Sequence, residues 1–135
     1  MTTFHNSLVK RALSPQSGNN TVLNGVTIDL AGADGIDFIC EVGAQDSTVV
    51  WKVQTGTASD ASDMADVTGL TQSFSASDDN KVTVLSLGKS TKRYARIVAT
   101  LGNGTAQLVS ACALIRGVRM VPVTQDFGGV FVPSA

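Results

Sequence analysis

The sequence is short of charge, aromatic rings, cysteine and proline. Charged residues make up 16% of the 135, against a usual share of about 25%, while 43% are hydrophobic. That balance excludes a supercharged or disordered chain. Aromatics stand at 5%, with one Trp and one Tyr. This is thin for a lectin or a single-stranded nucleic-acid platform, both of which stack ligands on rings. Two cysteines, Cys40 and Cys112, are no disulfide framework. Both sit in apolar stretches, where a buried free thiol is the ordinary state and a single bridge between them the alternative. The only histidine, His5, lacks a second base with which to build a triad. Two Cys and one His fall one ligand short of a structural zinc site. No run of 18 apolar residues is present, so no membrane span is expected. No basic segment followed by an apolar one opens the chain, so export by signal peptide is not expected. A net charge of −1 excludes a strongly basic nucleic-acid binder, and no P-loop or dinucleotide fingerprint occurs. No catalytic, cofactor or metal residues are assigned, and an enzyme is not expected.

What is present is a period of two. Thirteen glycines punctuate stretches rich in Val, Thr and Ser. Val26, Ile28 and Leu30 share one face; so do Ile36, Phe38, Cys40 and Val42; so do Val49, Trp51 and Val53. Lys81 to Leu87 alternates through Val82 and Val84. Arg93 to Leu101 is the clearest strand, with Ile97 on one face and Tyr94 and Arg96 on the other. Ala106 to Ile115 is apolar nearly throughout, as in a strand buried on both faces. Gly102-Asn103-Gly104 predicts a hairpin joining these two, since Gly and Asn tolerate positive φ. The pattern predicts an all-β fold, an antiparallel β-sandwich or β-barrel over residues 21–123. Residues 1–20 lack a period and contain the breaker run Ser14 to Asn20, so they read as an arm outside the core. Residues 124–135 read as an apolar tail, broken at Gly128-Gly129, that docks on its own domain or on another chain. Thr55 to Ser77 reads as a short helix or an irregular loop.

Charge is distributed unevenly. Residues 29–80 hold ten acids and one base, and residues 81–135 hold seven bases and one acid. Either the two segments neutralise each other within one globule, or they make complementary surfaces between molecules. Asp60, Asp63 and Asp66 recur every three residues but match no EF-hand loop, so they read as solvated loop acids. The candidate interface residues are Phe4, Leu8, Lys10 and Arg11 in the arm, Tyr94 and Arg96 on the clearest strand, and Phe127 and Phe131 in the tail. Tyr94 is structural if its face packs on a second sheet. If that face is open, Tyr94 with Arg96 is the leading contact pair, both types being enriched at hot spots.

Three segments carry a family resemblance: Lys92-Arg93-Tyr94-Ala95-Arg96-Ile97-Val98-Ala99-Thr100, Asp37-Phe38-Ile39-Cys40-Glu41-Val42-Gly43, and Asp63-Met64-Ala65-Asp66-Val67-Thr68-Gly69-Leu70. With them the chain resembles small virion proteins of tailed bacteriophages, among them capsid decoration (cement) proteins, over roughly residues 25–116. The resemblance implies a β-sandwich or barrel on the outside of the head shell, often trimeric. It implies the major capsid protein as partner, no direct contact with nucleic acid or membrane, no cofactor, and synthesis in the bacterial host cytoplasm. A tail or head–tail joining subunit is one alternative, and a carbohydrate- or receptor-binding β-module is another.

Overall fold

Alternating side chains become strands wherever one face can be buried. The computed structural model describes residues 7–117, and its regular elements are all β. They are β1 (Ser7–Gly18), β2 (Thr21–Asn24), β3 (Ile28–Asp29), β4 (Gly35–Val42), β5 (Val49–Gly56), β6 (Ala65–Phe74), β7 (Lys81–Leu87), β8 (Tyr94–Leu101) and β9 (Gln107–Arg116). One sheet, here sheet A, runs in the order β1-β9-β4-β7. The other, sheet B, runs β2-β8-β5-β6, with β3 also on β8. Every pairing is antiparallel. If β2 and β3 are counted as two pieces along one side of β8, the chain has eight strands in two four-stranded sheets, wound as a jelly roll. The fold is a sandwich rather than a closed barrel.

The core lies between the sheets. Ile36, Phe38, Cys40 and Val42 from β4 meet Val49, Trp51 and Val53 from β5 and Ala95, Ile97, Ala99 and Leu101 from β8. These are the faces that the alternation predicts. Trp51, Phe38, Ile36 and Ile97 are fully enclosed, each side chain contributing roughly 1.5–3 kcal/mol by leaving water. Gly25 and Val26 close one side. Gly25 N–H donates to Ile97 O (2.8 Å) and Val26 N–H to Ala12 O (2.9 Å), so two successive amides tie sheet B to sheet A. A Cβ on Gly25 would collide with both carbonyl oxygens. The expected strand Thr21 to Leu30 therefore breaks here into β2 and β3, and Val26 is exposed rather than inward.

Several expectations are corrected. Residues 7–18 are a core strand rather than an arm: β1 pairs along the whole of β9, and Ala12 and Leu13 are both buried. Register shifts between Arg11 and Leu13 and between Leu13 and Gln16 are bulges that put two consecutive residues on one face. They erase the period of two on which strand recognition depends. Among the described residues Pro15 sits in a strand paired on one side, where its missing N–H is tolerated. Thr55–Ser77 contains no helix; its second half is β6. There Asp66 and Thr71 face Gln54 and Lys52, so four residues of β6 lie against one of β5. Gly69, at φ +86°, lies inside that bulge, and the partly buried Val67 and Leu70 are three apart rather than two. The Gly102-Asn103-Gly104 turn is not a hairpin. β8 and β9 belong to different sheets, and none of its three residues has positive φ. In β7 the alternation holds, and the structure decides which face is inward. Leu85 is buried, and Val82 and Val84 face solvent. The end of the expected 21–123 domain beyond Gly117, the tail with Phe127 and Phe131, and Phe4 and His5 lie outside the described residues.

Candidate functional site

Two layers leave two outer faces. On sheet B, Tyr94 and Arg96 share the outward face of β8 and are half-buried; the sheet beneath packs on the opposite face, through Ala95 and Ile97. Of the two readings of Tyr94 the geometry matches the open-face one, because no second sheet lies over it among the described residues. A polar ladder crosses three strands beside it. Arg96 Nε donates to Gln54 Oε1 (2.8 Å), Gln54 Nε2 donates to Asp66 Oδ1 (2.8 Å), and Lys52 Nζ reaches Asp66 Oδ2 at 3.3 Å. These bonds hold the Asp66 carboxyl below its usual range, Gln54 first and Lys52 second.

At the end of the ladder Arg93 grips Asp29 with two parallel bonds, Nε to Oδ1 at 2.9 Å and Nη2 to Oδ2 at 2.8 Å. The same guanidinium lies 5.3 Å from the centre of the Tyr94 ring, within cation–π range. The Arg93 hydrogen bond is the main cause of a lowered Asp29 pKa, and Lys10 on β1 adds to it through space. Among the described residues the terminal nitrogens of Arg96 and the hydroxyl of Tyr94 have no hydrogen-bond partner. The face thus offers guanidinium donors and a phenol on a frame whose carboxylates are already engaged. It suits hydrogen bonding to another surface and holds no nucleophile–base pair.

The loop aspartates are occupied by their own backbone. Asp63 accepts from the N–H groups of Thr57 and Ala58 and from the Thr57 hydroxyl. Asp60 caps Ser62 N–H at 3.0 Å. Asp46 pins the β8–β9 crossing by accepting from Thr105 N–H and from Nε2 of the buried Gln107. Asp37 accepts from Ser86 Oγ and pairs with Arg116 at 3.2 Å. The ion pairs Arg93–Asp29, Arg116–Asp37 and Lys81–Asp78 each join the basic segment to the acidic one. Part of the charge asymmetry is therefore neutralised inside one molecule. Cys40 points inward and Cys112 outward on adjacent strands, and both are free thiols. Burial pushes the Cys40 thiol up to about 12.

The outer face of sheet A was not legible as a surface. Val82, Val84, Leu108 and Val9 are exposed there, with Ile39, Cys112 and Leu114 between them by register. Arg11 is exposed on the same face beside Cys112, whereas Leu8 packs partly against the core. A shallow groove of about 650 Å³ marks one end, between Pro15 and Ser17 of β1 and Lys81 and Val82 of β7, with Leu108, Glu41 and Ser110 also lining it. The available signal was the alternation in β7, whose valines could be assigned to either face until the sheets were in place.

No protein-family model matches the chain, and no curated protein matches it by sequence. Solved structures do resemble it. The PBSX exported protein XepA is similar at TM-score 0.59 and 12% identity over 100% of this chain, which spans 45% of XepA's length. PirA gives TM-score 0.47 and 12% identity, over 86% of this chain and 95% of its own. A CBM36-1 domain of a multidomain xylanase from the hindgut metagenome of Trinervitermes trinervoides gives TM-score 0.45 and 10% identity, over 81% of this chain and 96% of its own. At such identities the XepA likeness establishes the fold: the chain is an all-β sandwich of the kind found in one part of XepA.

Proposed function

We propose that the protein is a non-enzymatic virion subunit that decorates a bacteriophage head and bridges major capsid subunits from outside. The observation that carries the proposal is the outward pair Tyr94 and Arg96, presented on a hydrogen-bonded frame with free donors. Tyr and Arg anchor protein interfaces because each combines a large contact area with directional bonds. Small-molecule and sugar sites are instead concave and lined with rings, and Tyr94 is the single ring at this ladder. The jelly roll itself does not choose, since viral coats and lectins both use it. The shared fold of the phage-related XepA supports the virion reading, as does the resemblance of the Lys92–Thr100 strand to phage decoration proteins. A shell under pressure from packaged DNA gains stability when many small copies each bridge neighbours, because linked weak contacts add through multivalency. A trimer on the capsid exterior, made in the host cytoplasm, fits this role.

The test is attachment to particles. Mass spectrometry of purified virions should find the chain in hundreds of copies, whereas a joining protein would appear only at ring stoichiometry. Tyr94→Ala and Arg96→Ala should leave the melting temperature of the free protein unchanged and reduce occupancy on heads at least tenfold. Absence from particles, or attachment by both variants at the level of the unmodified chain, would sink the proposal.

A further inference from the structure

A strand that borders a sheet turns half of its backbone N–H and C=O groups away from its only neighbour, and natural β-proteins blunt such borders against stray pairing. Among the described residues the borders are β1 and β7 of sheet A and β2, β3 and β6 of sheet B. All but one are blunted. β1 carries two register shifts and Pro15. β6 carries the wide bulge around Gly69. β2 and β3 are short and parted at the Gly25 bridge. β7 has none of these devices. It pairs with β4 residue by residue from Lys81 to Leu87 without a shift, and it contains no Gly or Pro. Its one charge, Lys81, stands at its start and is paired with Asp78. Among the described residues its outer side makes no backbone hydrogen bond, and Val82 and Val84 are 60% and 56% exposed.

The charges flanking β7 select what can pair with it. Asp78 and Asp79 precede the strand, and Lys89 and Lys92 follow it. Among the described residues neither Lys89 nor Lys92 has an ion pair. Asp79 accepts Gln45 N–H at Oδ1 (3.0 Å), which leaves Oδ2 for a cation. A second β7 laid antiparallel sets each acidic end against a basic end. A parallel one would set acid on acid and base on base. The antiparallel contact is two-fold and self-complementary, so every favourable pair in it occurs twice. Lys89 and Asp79 each stand five residues from Val84. With Val84 on the axis, Val84 therefore faces its own counterpart, Val82 faces Ser86, and Lys89 draws level with the partner's Asp79.

We propose that β7 is a docking edge for a second copy of this chain, the two β7 strands pairing antiparallel about Val84 so that two four-stranded sheets become one continuous sheet. The contact joins copies in pairs and uses the sheet that does not carry Tyr94 and Arg96. It stands apart from the role on a virion, and its test needs no particle. Val84→Cys with Cys112→Ala in the full chain leaves one accessible thiol, since Cys40 is fully buried. Opposed residues of antiparallel strands lie about 4.5–5.5 Å apart at Cα, within disulfide reach. Mild oxidation should link this variant into dimers at least tenfold faster than Val22→Cys in the same background, Val22 being exposed on sheet B. In sedimentation velocity the unmodified chain should dimerise as concentration rises. Lys89→Asp should raise the dissociation constant at least tenfold, and adding Asp79→Lys should restore it, because the two pairs re-form with signs exchanged. Val84→Lys, which sets like charges on the axis, should give a monomer of unchanged melting temperature. That variant and the cross-link decide the matter if Asp79→Lys disturbs the fold. A chain that stays monomeric at millimolar concentration, equal cross-linking of Val84→Cys and Val22→Cys, or a dimer indifferent to Val84→Lys overturns the proposal.

Discussion

Ile97 shows what a single core position contributes. It is fully buried on β8, between Val53 of β5 and the Gly25 bridge. Ile97→Ala should cost about 2–5 kcal/mol, through lost transfer energy and the cavity left behind. Chemical denaturation would read this as a lower midpoint at unchanged slope; an unchanged midpoint would mean the inward assignment of β8 is wrong. Asp63 makes a different kind of contribution. The Thr57 hydroxyl first, then the N–H groups of Ala58 and Thr57, hold its carboxyl down to about 2. An unfolded aspartate titrates near 3.9. The folded value is the lower one, so the contribution is complete above about pH 4, declines as pH falls, and is gone below about 2. NMR titration of the Asp63 carboxyl should give a midpoint near 2, and Asp63→Asn should reduce the loss of stability over that window. A midpoint near 3.9 would show that the β5–β6 loop does not hold these bonds in solution.

At the level of elements, the two strands hardest to read, β1 and β6, both border a sheet among the described residues. Each carries bulges, because a strand paired on one side can insert residues without disturbing a second neighbour. Their roles differ. β6 buries only Phe74 fully. β1 covers the length of β9 and adds Ala12 and Leu13 to the core. Deleting residues 1–18 should therefore abolish cooperative unfolding, followed by circular dichroism against temperature, and lead to aggregation through the bared edge of β9. A shortened chain that still melts cooperatively would show that β1 is dispensable. The β8–β9 connection carries the same lesson. Gly-Asn-Gly between two apolar strands reads locally as a hairpin, but the loop crosses from one sheet to the other and is held by Asp46 on Thr105 and Gln107.

Across the whole molecule, nearly every connection passes between sheets. β5 and β6 are consecutive strands that pair directly, whereas β1 meets β9 with Ser7 opposite Arg116. Contacts so distant along the chain require large loops to close before they stabilise anything, which slows folding. Refolding should fall in the millisecond-to-second range expected of β-sandwiches. Trp51, the only tryptophan and fully buried, gives the signal in stopped-flow fluorescence. Microsecond refolding would contradict a topology in which β1 pairs with β9.

The sequence by itself determined the class of fold and most of the core. Where period two runs unbroken, in β4, β5 and β8, the buried face follows directly, because side chains on a strand alternate and only one side can leave water. It also supplied Tyr94 and Arg96 as neighbours on one face. It could not determine which strands pair, because pairing depends on contacts many residues apart. Nor could it show which side of β7 faces inward, because Val82, Val84, Leu85 and Leu87 are all apolar and only the packing of β4 against sheet B decides between them. Residues 7–18 were illegible for a related reason. Bulges remove the local period, and the strand exists because β9 offers it an edge and the core has room for Ala12 and Leu13. The pairing of acidic with basic segments was open for the same reason. Arg93 meets Asp29, 64 residues away, only because β3 and β8 lie side by side in the folded sheet.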